Sequence, residues 1–295
     1  MSDFASLIIG QPSLDINTDF DGHTIRAVGG AVVYSAFASG ALGHRVCALP
    51  MANAATVDLA AVFAPAHNVT VIPLDSPAST SIENVYHSAD RERRTCRALS
   101  RIPGYRTQDI PEADAAIWHL AGLMHGDVGN DLIQYAHTKA LVAVDVQALL
   151  RWADKKTGEM SFRDWGEKRE FLPYIRFLKT DAAEAEVLTG LTDRGAAAKL
   201  LHSGGAKEIM ITHNTEVLIY DGEEIYTAPI KSRNLSGRTG RGDTCFAVYI
   251  AERLSRGIPE ALLTAAAAVS LKMETPGPFT GTRADVEEYI RRFYS

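Results

Sequence analysis

Short apolar, β-branched runs alternate with alanine-rich stretches of helical character over most of this chain, and that alternation constrains the fold more than any other feature. The runs lie at 7–9, 45–49, 69–72, 116–120, 141–145, 177–180 and 208–212, with helical stretches at 31–41, 132–137, 182–188 and 196–202 between them. Strands that alternate with helices in this way pair in parallel and are covered on both faces. The expected fold is α/β, a three-layer α/β/α sandwich around a mainly parallel sheet.

Two segments break the alternation. Residues 16–28 (INTDFDGHTIRAV) and about 80–100, which includes TSIENVYHSADRERRTCR, are polar, β-prone and interrupted by turn residues. They read as hairpin strands outside the main sheet, a small β-sheet lid. The charge run Asp90 to Arg94 fits a solvated hairpin tip. No repeat with a period of roughly 20 to 50 residues and no low-complexity tract is visible.

Bulk composition excludes several classes. A chain of 295 residues that is 46% hydrophobic buries a large core, enough for one big α/β domain or two ordinary ones. Lys and Arg total 30 against 36 Asp and Glu, a net charge of −6. No global positive field exists to hold nucleic acid or an anionic membrane, so an anionic ligand needs a local site. Cys47, Cys96 and Cys245 are far apart, without a CxxC or Cys/His cluster, which supports reduced thiols rather than a disulfide framework or a zinc site. The opening MSDFASLIIGQPSLD has an acid at position 3 and too short an apolar run for a signal peptide, and no stretch approaches the roughly 20 apolar residues that span a bilayer. A cytoplasmic location is expected.

The densest chemical signal is SGRTGRGDT, Ser236 to Thr244, followed by an apolar helical stretch at 245–254. Glycines permit positive φ and close approach of a ligand, and the unpaired amides of a helix start attract an anion. An acid, Asp243, lies within this phosphate cradle; the plainer reading makes it a helix N-cap. A second signal is VGGAVVYSA from Val28, where a double glycine precedes a helix that Leu42-Gly43 terminates. There is no G-x-x-x-x-G-K-[ST], no G-x-G-x-x-G after a strand, no H-E-x-x-H and no G-x-S-x-G, so P-loop, dinucleotide, zincin and hydrolase readings lose their anchors.

In combination, VGGAVVYSAFASGALG and GRTGRGDTCFAVY resemble the two signature regions of the ribokinase-like (PfkB) carbohydrate kinases, in that order and at a typical separation. KTDAAEAEVLTG from Lys179 resembles the family's K-P-N-x-x-E-A-E-x-L-T-G segment, 209–220 its strand pair, and 265–271 its alanine-rich nucleotide-side helix. The resemblance covers nearly the whole chain. It implies a single kinase domain over 1–295 with the lid inside it, a small sugar or polyol as acceptor, ATP as donor, Mg²⁺, and a homodimer through the lid.

The resemblance also carries roles residue by residue. Asp243 matches the catalytic base, and Gly240, Arg241 and Gly242 the anion hole for the transferring phosphoryl group. Asp15 matches the acid that holds acceptor hydroxyls, in a pocket with Ser13, Gly29, Gly30 and Tyr34. Asp181, Thr212 and Thr239 fall on the nucleotide side, and Asp181 with Glu184 matches the pair that organises Mg²⁺ through water. Phosphoryl transfer needs mainly in-line positioning and neutralisation of charge, and a carboxylate in reach of the attacking alcohol takes its proton.

Departures from the pattern bear on specificity. The usual D-T-x-G-A-G-D reads GRTGRGD at Gly237 to Asp243. The missing first Asp belongs, in many members, to a monovalent-cation loop, so its loss removes the basis for expecting potassium activation. Arg241 replaces the alanine of the anion hole; it either adds positive charge at the phosphate or points to solvent. Tyr34 replaces the usual substrate-binding Asn, Ser13 replaces a polar partner often seen as Asn, and WHLAG from Trp118 lacks the Glu of ribokinases proper. These changes argue against ribose. Asp145 to Arg151 and 270–279 resemble the inositol-kinase-like branch, although the favoured reading of Asp145 and Arg151 is a strand-end acid and a solvated helix Arg. A nucleoside kinase with Tyr34 or Trp118 stacked on a base, and an inactive ligand-binding homologue, are the competing functions.

Overall fold

The computed structural model describes residues 2–88 and 94–294. A nine-stranded sheet runs, from one edge, Ile225–Pro229, Glu216–Tyr220, Glu208–Thr212, Phe177–Asp181, Leu141–Asp145, Ala115–Leu120, Phe4–Ile9, Val46–Leu49 and Val69–Val71. The first two pairings along this order are antiparallel; the other six are parallel. All seven apolar runs read from the sequence are strands of this sheet, and the antiparallel edge adds the two strands after Thr212.

Successive side chains of a strand face opposite ways, so each strand feeds two cores. Leu7 and Ile9 pack with Leu132, Ile133, Ala185, Leu188 and Leu201 under the helices Asn130–His137, Ala182–Thr189 and Arg194–Ser203. On the other face Ala143, Met210 and Ile219 pack with Phe246, Tyr249, Ala266 and Tyr289 of the helices Arg241–Glu252, Ile258–Lys272 and Arg283–Phe293. Ile8 and Ala48 meet the Ala31–Ala41 helix and Ile82 of a second sheet. That is the expected sandwich.

The second sheet has the order Thr24–Gly29, Ser13–Thr18, Thr80–Tyr86, Arg94–Ser100. It is built from the two segments that broke the alternation, with the Ser13–Thr18 strand paired parallel to Thr80–Tyr86. Of the charge run, Asp90, Arg91 and Arg93 lie outside the described residues, while Arg94 opens the last of these strands. Both glycines of the double-glycine signal sit where the small sheet hands the chain to the Ala31–Ala41 helix.

No described helix is long and apolar enough to cross a membrane. The parallel strands deliver Asp145, Asp181 and Thr212 to one end of the main sheet, the end at which α/β folds collect ligands.

Candidate active site

Gly240 caps the Arg241–Glu252 helix with a φ of 78°, in the left-handed region that glycine enters without a Cβ penalty. A Cβ at Gly240 would lie 2.2 Å from the Tyr34 ring, so the position also demands the absence of a side chain. Arg241, Gly242 and Asp243 then form the first helical turn, whose amides have no partner inside the helix. The N-cap reading of Asp243 is therefore corrected: Gly240 is the cap, and Asp243 is the third helical residue with its carboxylate not spent on capping. Burial pushes Asp243 up to about 6 and Asp145 pushes the same way, against Lys179, Lys272 and Arg151.

A second cluster lies at the base of the small sheet. A Cβ at Gly29 would stand 2.7 Å from Asp15 Oδ2, 3.4 Å from Ser13 Oγ and 3.5 Å from the Tyr34 ring, so these four residues share one spot. Gly30, at φ 106°, packs on the Gln11 carbonyl and caps the next helix. Asp15 is buried and its Oδ1 has no hydrogen-bond partner among the described residues. Burial raises its pKa to about 6, while the Ser13 hydroxyl, Arg94 and Arg151 hold it lower. Tyr34 joins the two clusters. Its ring covers Gly240, and Asp15 and Asp243 both add to the burial that raises its hydroxyl pKa.

Asp145, Glu184, Asp243 and Asp181 gather around Lys179. Its Nζ lies 2.8 Å from Asp145 Oδ2 on the neighbouring strand, with both side chains buried. A Cβ at Gly242 would be 3.0 Å from that Nζ, which places the ammonium at the first turn of the helix. Asp181 caps the Ala182–Thr189 helix, accepting from the Glu184 amide at 2.8 Å, and Glu184 Oε2 accepts from the Asp181 amide at 2.9 Å. Burial and Asp181 push Glu184 up to about 7 against the pull of Lys179. Thr212 is buried with its hydroxyl 3.5 Å from the Thr180 carbonyl, and Thr239 is exposed beside the glycine loop.

Arg241 neither points freely to solvent nor enters the sheet. Its Nη1 donates to Asn214 Oδ1 at 2.7 Å, and Arg238 Nη2 reaches the same oxygen at 3.1 Å. Two guanidinium groups thus converge at the mouth of the site. Trp118, by contrast, is buried in the core with its ring edge-on to Tyr135 at 5.8 Å, so it cannot stack on a base.

The chain matches the pfkB family carbohydrate kinase model over residues 113–283. The chain belongs to the pfkB carbohydrate kinase family. Membership places it among kinases whose acceptor is a hydroxyl group. Over the whole fold it is similar to a sulfate complex of a pyrophosphate-dependent kinase in the ribokinase family, with 34% identity, a TM-score of 0.88, and 96% of this chain and 99% of that chain covered. A pyrophosphate-dependent kinase of that family complexed with a pyrophosphate analog and myo-inositol matches at 32% identity and a TM-score of 0.87, with 96% and 99% covered. A cytidine kinase of Thermococcus kodakarensis is 36% identical over 94 residues, 31% of this chain, and that match spans about a third (34%) of the cytidine kinase.

In this pfkB-family member, sequence reasoning missed Lys272, Arg238 and Asn214, and gave Lys179 no role. Lys272 is buried, donates from Nζ to the carbonyls of Gly237 and Thr239, and stands 5.1 Å from the Tyr34 ring centroid. Burial pulls its pKa down to about 8, with Asp243 pulling the other way. A lone Lys in the apolar run AAAAVSLKM was the available signal. Arg151 is not a solvated helix residue: it opens the Arg151–Ala153 strand, half-buried, donating to Gln147 Oε1 at 2.8 Å and standing over the Phe162 ring.

Proposed function

We propose that this chain transfers a phosphoryl group from inorganic pyrophosphate to one hydroxyl of a cyclic polyol of the inositol class, with Asp243 as the base. The observation that carries the acceptor side is the buried, unpartnered Oδ1 of Asp15 beside Gly29 and Tyr34. A buried acceptor atom left empty costs free energy that a ligand hydroxyl recovers. Ser13 tunes that carboxylate, Gly29 leaves room for a ring, and Tyr34 supplies an apolar wall with a single hydroxyl. Such a pocket favours a compact ring over an extended chain.

On the donor side, Arg238, Arg241, Lys179 and Lys272 bring four cations to one glycine loop. A small, highly charged donor is held by such charges without any base-recognition pocket. The full-length similarity to pyrophosphate-dependent kinases supports the same donor. ATP, the donor that the family resemblance implied, is the second reading.

The mechanism follows from the two clusters. Asp15 orients the acceptor ring, and Asp243 takes the hydroxyl proton as the oxygen attacks phosphorus. The amides of the first helical turn and the Arg241 guanidinium take up the charge on the transferring group. Mg²⁺ suits the remaining oxygens of Asp181 and Glu184: each carboxylate spends one oxygen on the helix cap, which leaves a hard oxygen pair suited to a hydrated divalent ion. There it would neutralise donor phosphate charge. The domain is proposed to extend over 1–295 with the small sheet as the lid, and exposed Ile25 and Leu99 on that sheet are consistent with a homodimer through it.

A panel of inositols, hexoses, ribose and nucleosides, each with pyrophosphate or ATP, tests the reading. The highest kcat/KM is expected for an inositol with pyrophosphate, and Asp15→Ala is expected to erase the preference among acceptors. A nucleoside or ribose as best substrate removes the acceptor assignment, and ATP as best donor removes the donor assignment. No turnover with any pair would favour a ligand-binding homologue. A second expectation concerns Arg241. Arg241→Ala should lower kcat by at least about tenfold while acceptor KM changes little, because a charge that acts mainly on the transition state adds little to ground-state binding. Unchanged kcat would make Arg241 a surface partner of Asn214 alone.

A further inference from the structure

Lys272 is the last residue of the Ile258–Lys272 helix, yet its side chain does not run to solvent. The ammonium is delivered to the loop that precedes the Arg241–Glu252 helix, where it donates to two carbonyls, those of Gly237 and Thr239. The same helix end fixes the loop from below. The Gly237 amide donates to the Met273 carbonyl at 2.7 Å, and a Cβ at Gly237 would lie 1.9 Å from the Thr275 carbonyl oxygen.

Peptide geometry gives these two bonds a consequence. No peptide bond in the described residues is cis, so each carbonyl and the following N–H point in opposite directions. With the Gly237 and Thr239 carbonyls drawn to the ammonium, the amides of Arg238 and Gly240 turn away from it, off the face that the loop shares with the helix end. A cation held by backbone carbonyls is what a bound monovalent ion supplies to a loop, and here the cation is tethered to the chain.

We infer that the Lys272 ammonium is a built-in monovalent cation, a positioning group that shapes the Gly237–Gly240 loop for the transferring phosphoryl group and makes turnover independent of added potassium. The inference rests on the proposed role of that loop and of Asp243. It adds that the loop's geometry, and with it kcat, depends on a positive charge at one point behind it. The Tyr34 ring over the same ammonium extends the effect, because that ring also covers Gly240.

The experiment has two arms on the intact chain. Turnover of the wild type, with pyrophosphate and ATP each as donor, is measured in potassium, ammonium, sodium and tetramethylammonium chloride at equal ionic strength and constant Mg²⁺. The same rate within about twofold is expected in all four salts, and stimulation of several-fold by potassium overturns the inference without any variant. In the second arm, Lys272→Ala is expected to lose about 100-fold in kcat, the scale of a lost charge-stabilising group, with acceptor KM little changed. Ammonium, methylammonium or potassium should restore at least tenfold of that loss saturably. Lys272→Met, whose chain fills the same space, should lose as much and gain nothing from these ions. A folded Lys272→Ala with normal kcat, or one whose loss no small cation repairs, overturns the inference; if that variant does not fold, the wild-type arm decides. Asp243→Asn run alongside separates the two claims. A full loss in Asp243→Asn with cation-stimulated wild type rejects only the built-in cation, whereas a normal Asp243→Asn rejects the site itself.

Discussion

Asp243→Asn is expected to lower kcat at least roughly 100-fold while acceptor KM and melting temperature hardly move, because a general base acts on the barrier and little on binding. Asn keeps the size of the side chain and can still accept a hydrogen bond, so the loss reports the carboxylate's basicity. Stability should not suffer. The folded-state pKa of Asp243 is raised to about 6 from an ordinary 3.8, so ionising it is harder in the fold than in the unfolded chain. A raised carboxyl pKa means that the folded state holds the proton more tightly, and stability falls as pH rises from about 3.8 to about 6 and stays lower above that window. Removing the titration removes this cost at neutral pH.

The same shift sets the pH profile of the wild type. Activity should rise with pH through about 6 as Asp243 becomes the carboxylate, and the rise should vanish in Asp243→Asn. On the alkaline side, turnover should fall above about 8 as the Lys272 ammonium loses its proton. The groups facing Asp243 are Asp145, Lys179, Lys272 and Arg151, so the acid limb belongs to a coupled cluster and not to one isolated group. Near-normal turnover in Asp243→Asn, or an acid limb that survives the substitution, would remove Asp243 from the chemistry.

Much of this arrangement was legible because it is local. Parallel strands covered on both faces read as unbroken apolar runs, which is why seven of them are legible in the sequence. The small sheet was legible for the opposite reason, since it faces solvent and keeps polar residues between turn signals. Gly29, Gly30 and Gly240 announced close approach by composition alone. What stayed hidden depends on partners distant in sequence. Lys179 meets an Asp145 that is 34 residues away, and only the pairing of two strands brings them together. Lys272 looks like an ordinary basic residue at a helix C-terminus, where the dipole favours it; its real partners are two carbonyls, 35 and 33 residues upstream. The plainer reading of Asp243 as a helix cap fails for a local reason: the left-handed Gly240 is the cap, and Asp243 stands three residues later in the first turn.

Lys179→Met is expected to cost roughly 3 to 5 kcal/mol of stability, the effect of stripping one partner from a buried ion pair, together with most of the activity. Lys179 and Asp145 are nearly inaccessible, with side-chain exposures of 7% and 3%, and their contact is 2.8 Å. Burial alone would favour the neutral amine, but Asp145, Glu184, Asp243 and Asp181 overrule it, and the Lys179 pKa is raised. That ordering explains why one substitution should have two effects. Without the ammonium, Asp145 is left buried and uncompensated, which destabilises the fold. Asp243 and Glu184 also lose a neighbour that held their pKa values down, so the acid limb of whatever turnover remains should move to higher pH. The paired variant Asp145→Leu with Lys179→Met separates the effects, since replacing both ions by apolar groups can restore stability while leaving the first turn of the helix without its cation. Thermal melts and pH–rate profiles of the single and double variants decide the matter. A Lys179→Met protein with the wild-type melting temperature and an unmoved acid limb would show that this ammonium is neither the keystone of the buried cluster nor a neighbour that tunes the base.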